Sequence, residues 1–105
     1  MELKEGSTLY VRIDYKIGEQ EEDEQVALEC MEYLQRLAKE RYLVAGILGD
    51  MELGQMDGAM LLFEAKDMAV AQAISRQDPI IAKGFYRCEV YKWNVMQTSG
   101  SAGAQ

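Results

Sequence analysis

Leu9, Val11, Ile13 and Tyr15 alternate along the chain with Tyr10, Arg12 and Asp14, and a period of two is that of a half-buried strand. Gly18 and the acidic run EQEEDE, Glu19–Glu24, break the alternation. Negative charge is favoured at the partial positive end of a helix, so the run predicts a helix start with a solvated face. Beyond it Ala27, Cys30, Met31, Leu34, Leu37 and Ala38 recur at spacings of three and four, the signature of one helix face turned towards a core. Glu32, Arg36 and Glu40 stand four apart on another face, where alternating signs support the helix without any binding role.

Arg41–Leu48, RYLVAGIL, is short and β-rich and predicts a second strand. Gly49–Gly58 contains three glycines and ends on the turn pair Asp57–Gly58. This segment is too short for a crossover helix, so the strands on either side form an antiparallel hairpin with a long loop. Ala59–Glu64 is the third strand, with Ala59, Leu61 and Phe63 on one side and Met60 and Leu62 on the other. Asp67 caps a second helix, MAVAQAISRQ, whose Ala71, Ile74 and either Met68 or Val70 face inward. Pro79 ends that helix, since its ring restricts the preceding residue and it has no amide hydrogen to donate. A last strand follows Gly84 in FYRCEVYKWNV, where Cys88 and Val90 alternate with Glu89 and Tyr91.

The order β-α-β-β-α-β, with right-handed connections, lays two helices on one side of a four-stranded antiparallel sheet, an α+β domain of ferredoxin-like class. The other side of the sheet is left bare, and the apolar third strand asks for a cover there. The expected cover is a second copy packed sheet against sheet, the alternative being loops or the segment around Trp93. Burying ~800 Å² per partner would be an ordinary interface. If half of that were apolar, the hydrophobic term would be on the order of 10 kcal/mol before association costs. One domain spans residues 1–96, and the tail 97–105, QTSGSAGAQ, has nothing to bury and is expected to be loose.

Charge narrows the partners. Eighteen acidic side chains against eleven basic ones give a net charge of −7 and a pI near 4.5, a surface that repels phosphate backbones and makes nucleic acid an unfavourable partner. No apolar run reaches the length of a membrane span, and the N-terminus lacks the pattern of a signal peptide. Two cysteines, Cys30 and Cys88, make no disulfide framework and fit a reducing cytoplasm. The chain has no histidine, which removes the commonest base and the commonest zinc ligand. No metal-site spacing and no glycine-rich phosphate loop is present, so no cofactor is expected.

Asp78 directly precedes the chain's single proline and has two readings. It could be a helix end, on the unfavourable side of the helix dipole and offset by a local amide or Arg76. Alternatively, it is the acid around which a site is built. Cys30, on the apolar helix face, is either an ordinary small core residue or a site thiol; Cys88, inside a strand, is most simply packing. Arg12 and Tyr10 share one face of the first strand, where the arginine could hold an anionic ligand or answer Asp14 and Glu89 across the surface.

The segments CMEYLQRLAKERYLVAGIL and DGAMLLFEAKDMAVAQAISRQDPIIAKGFYRCEVYKWN together resemble the YciI-like family. The likeness covers roughly Val26 to Asn94 and is carried by Ala45–Gly46, Asp57–Gly58, Ala71 and Asp78–Pro79 in their order and spacing. It implies a dimeric α+β barrel whose subunits join through their sheets. It also implies a site that pairs a histidine of the first helix with the aspartate before proline, in relatives of which a few act on oxygenated ring compounds. Asp78 matches that aspartate, and Cys30 occupies the histidine's place. Further departures are Ile80 where an aromatic is usual, Arg41 where glycine is usual, and Tyr42 after it. Two functional readings follow. One is a pocket for a small oxygenated or anionic compound, with Asp78 and Cys30 as acid–base groups and Arg12 and Tyr10 orienting the ligand. The other is a non-catalytic dimeric structural or ligand-sensing protein.

Overall fold

The computed structural model describes residues 8–19 and 23–97. Most of the expected tail and part of the acidic run, Gln20–Glu22, lie outside that range. Four strands, β1 (Thr8–Lys16), β2 (Leu43–Leu48), β3 (Gly58–Ala65) and β4 (Tyr86–Trp93), form one antiparallel sheet in the order β2-β3-β1-β4. Two main helices, α1 (Glu24–Glu40) and α2 (Met68–Arg76), complete the ferredoxin-like β-α-β-β-α-β order. A 3-10 turn (Met51–Leu53) and a short helix α3 (Pro79–Ala82) are additions the periodicity did not reveal.

Each helix start has a local cause. Asp23 accepts from the Val26 amide at 2.8 Å and Asp67 from the Val70 amide at 2.9 Å, satisfying donors that a helix leaves open in its first turn. The β2–β3 loop is shaped by Asp50, which caps the 3-10 turn, and by Gly54, whose φ of 74° lies in the left-handed region.

Cross-strand pairs settle the faces. Tyr10 opposes Phe63, Arg12 opposes Leu61 and Val90, and Asp14 opposes Ala59 and Cys88. Tyr10, Leu61 and Phe63 join Tyr33 and Leu37 of α1 and Ala71 and Ile74 of α2 in the core. The half-polar side of β1 is therefore the side beneath the helices, and its apolar side, Leu9, Val11 and Ile13, lies on the helix-free face. That face also carries Val44, Tyr91 and Trp93, which are 53%, 52% and 42% exposed.

Two expectations are corrected here. The helix stripe read as core divides: Leu37 is buried with Val26 and Tyr33, whereas Ala27 and Met31 remain exposed. Gly58 is no turn residue but the first residue of β3, buried and paired with Tyr15. A Cβ at position 58 would stand 2.4 Å from the Asp14 carbonyl oxygen, so glycine is what lets β3 close against β1 beside that aspartate.

Candidate functional site

Arg12 and Asp14 project from the same side of β1, two residues apart, beneath α1 and α3. The Arg12 Nε and Nη2 donate to the two Asp14 carboxylate oxygens, both at 2.7 Å, and Nη2 donates also to Asp78 Oδ2 at 2.9 Å. All three residues are at most 1% exposed. One guanidinium thus serves two buried carboxylates, and bidentate geometry of this kind is the strongest arrangement available to the pair. Arg12 Nη1 is buried and makes no hydrogen bond.

Asp78 does not end a helix on the unfavourable side of its dipole. It is the N-cap of α3: Pro79 takes the first helical position, and Asp78 Oδ1 accepts from the Ile80 amide at 3.2 Å. Pro79 thus follows the end of α2 and opens the next helix, a position where its missing amide hydrogen costs nothing. The cap holds the carboxylate by one oxygen, and Arg12 holds the other.

Cys30 of α1 completes the cluster. Burial, together with the charge of Asp78 and hydrogen bonding to it, pushes the thiol's pKa up to about 12. At neutral pH it is a thiol, a proton donor rather than a nucleophile. On Arg12, burial works against the charge, but hydrogen bonds and attraction to Asp14 and Asp78 outweigh it and raise the pKa. Burial pushes the Asp14 carboxyl up, opposed by Arg12 and assisted by the charge of Asp78. That is the direction expected when two carboxylates share one cation.

Arg12, Asp14, Cys30 and Asp78 all line one hollow of about 610 Å³ between α1 and the sheet. Ala27, Met31, Leu34 and Ala38, read from the sequence as core, form its helical wall. The fold therefore brings together three of the four site residues singled out in the sequence. Tyr10 is the exception: it is 3% exposed, stacks in a tilted contact with Phe63, and belongs to the core. The pairing of Arg12 with Glu89 does not form either, because Glu89 lies on the opposite sheet face and binds Arg87 and Tyr91. Asp14 was missed as a site residue. Its signal was the Arg12-x-Asp14 spacing, which puts both side chains on one face of a strand. Among the described residues no cluster of acidic and sulfur side chains could hold a metal ion, and no helix is long and apolar enough to cross a membrane.

This is a ferredoxin-like α+β domain with a charged cluster buried under its first helix. The chain belongs to the YCII-related domain family, whose pattern matches residues 8–94. Among solved structures it is similar to 5-chloro-2-hydroxyhydroquinone dehydrochlorinase (TftG) from Burkholderia phenoliruptrix AC1100, in complex with 2,5-dihydroxybenzoquinone. The two share 17% identity at a TM-score of 0.59, over 82% of this chain and 93% of that one. No curated protein matches the chain at a significant level.

Proposed function

We propose that the protein binds a small oxygenated molecule in the hollow between α1 and the sheet, and acts on it by proton transfer through Asp78. The observation that carries this reading is the convergence of Arg12, Asp78 and Cys30 on one hollow. Asp78 is the proton acceptor. Arg12 positions it, and the Cys30 thiol, in the place where the family resemblance puts a histidine, donates a proton or a hydrogen bond. The size of the hollow suits a small-molecule site, and TftG, which shares the fold, is a 5-chloro-2-hydroxyhydroquinone dehydrochlorinase.

The test is a ligand-detected NMR screen of hydroxylated rings, lactones and ring acids against the wild type and Asp78→Asn. Bound compounds should lose at least tenfold in affinity in the variant, and any turnover should stop. Binding indifferent to the variant would defeat the reading. A second reading, ligand sensing without turnover, is favoured by the Cys30 thiol, whose pKa pushed up to about 12 leaves little thiolate at neutral pH. Its mark would be binding sensitive to Asp78→Asn with every bound compound recovered unchanged.

The functional unit we propose is a homodimer joined through the helix-free sheet face, since Val44, Tyr91 and Trp93 are large and uncovered there. We further propose a cytoplasmic location, since a reducing compartment suits two free thiols.

A further inference from the structure

The hollow is much larger than its polar floor requires, and its walls sort by chemistry along its length. Arg12, Asp14, Cys30 and Asp78 lie at one end, and towards edge strand β2 the walls turn apolar. The room has an origin in side-chain size. Ala27 and Ala38 of the helical wall and Ala45 and Ala59 of the sheet all line it, and such small side chains leave space between the layers unfilled. Leu43, Ala45 and Ile47 oppose Phe63, Leu61 and Ala59 and so share one face of β2, a track of about 13 Å at the rise of a strand. Its outer end opens at Ile47 and Met56, 47% and 59% exposed. A flexible thioether adapts to varied apolar shapes.

A single ring would fill only part of the hollow. A dry cavity of ~150 Å³ is enough for one benzene, about a quarter of the 610 Å³ found here. The polar end sets the head group. The charge of Arg12 is already shared by Asp14 and Asp78, so a ligand carboxylate or phosphate there would meet two carboxylates, and Lys16, the other cation of the lining, has interactions of its own. A neutral hydroxyl meets the opposite situation: it brings no charge and can donate to Asp78, which lines the hollow beside Arg12.

We infer that the site takes a neutral amphiphile, with a hydroxyl head on Asp78 and a hydrocarbon tail lying along β2 towards Met56. This rests on the small-molecule reading above and specifies its ligand. The experiment is calorimetric titration of the intact protein with 4-n-alkylphenols from methyl to heptyl, each below its aggregation limit, and with 4-heptylbenzoate. Affinity should rise roughly fourfold per methylene, the increment expected for full burial, and heptylbenzoate should bind at least tenfold more weakly than heptylphenol. Ala45→Trp, in the middle of the track, should cancel the increment, and Met56→Glu, on an exposed loop where folding is not at stake, should weaken only the longest members. Affinity independent of chain length, equal binding of heptylbenzoate, or an increment that survives Ala45→Trp would each overturn the inference while leaving the small-molecule reading in place. Failure of every phenol to bind would overturn the inference as well, and the small-molecule reading would fall with it only if the lactones and ring acids of the NMR screen also fail to bind.

Discussion

Arg12 on β1 and Asp78 ahead of α3 are 66 positions apart in sequence and 2.9 Å apart in the fold. The bond ties the sheet to the short helix over the hollow, and Asp14 holds the same guanidinium from the other side. Removing the guanidinium leaves two buried carboxylates without a cation. Arg12→Met should therefore destabilise the protein by about 3–5 kcal/mol, the usual result of breaking a buried pair from one side. Urea denaturation gives the value, and a loss below about 1 kcal/mol would show that the carboxylates do not depend on Arg12.

The Cys30 thiol is held protonated by burial and by Asp78, with a pKa of about 12 against an ordinary 9.0. Only the thiolate reacts with alkylating agents, so at pH 8 iodoacetamide should modify Cys30 roughly a thousandfold more slowly than an ordinary thiol. Asp78→Asn removes the neighbouring charge and should speed the reaction. Mass-spectrometric time courses would reveal it, and an ordinary rate in the wild type would contradict the geometry.

The same shift has a consequence for stability. The unfolded chain loses the Cys30 proton near pH 9 and the folded chain near 12. The stabilising contribution is therefore complete below pH 9 and is lost as pH rises towards 12. Cys30→Ser should flatten this part of the alkaline decline, seen by comparing denaturation midpoints of the two proteins from pH 8 to 11.

Gly58→Ala places a methyl group against the Asp14 carbonyl oxygen, at 2.4 Å before any adjustment. The backbone has to shift beside the site, and overpacking of this kind costs about 1–3 kcal/mol. Thermal melting should show the loss, together with weaker ligand binding, because Asp14 helps to hold Arg12. An unchanged melting temperature would mean that β1 and β3 can separate there freely.

Val44 is 53% exposed on the helix-free face, on a strand whose partners there include Leu62. In the proposed homodimer it is covered, so Val44→Lys should raise the dimer dissociation constant at least tenfold without unfolding the subunit. Sedimentation equilibrium decides. A wild-type protein that is monomeric at micromolar concentration would remove the proposed interface altogether.

Element order and pairing were legible because they follow from local rules. Alternation marked β1, three-and-four spacing marked α1, and a loop too short for a crossover helix made β2 and β3 antiparallel neighbours. Asp78 and Cys30 were legible as candidates through their resemblance to a family pattern, and Arg12 through its charge in an alternating strand. The orientation of β1 was not legible. Alternation shows that a strand has two unlike faces, but it cannot say which one the helices cover. Here the face with Arg12 and Asp14 is buried, because Asp78 supplies the third member of a charge cluster from a distant segment.

By itself, then, the chain's order of apolar and polar residues determined the elements, their connection and the class of fold, since hydrogen-bonding geometry and burial act over a few residues at a time. Only the tertiary structure decided that Asp78 caps a new helix, that Arg12 faces inward, and that Tyr10 belongs to the core. It also decided that alanines of α1 and of the sheet line one hollow. Those outcomes depend on which groups meet across long sequence separations, where one guanidinium can stabilise two carboxylates that no local pattern connects.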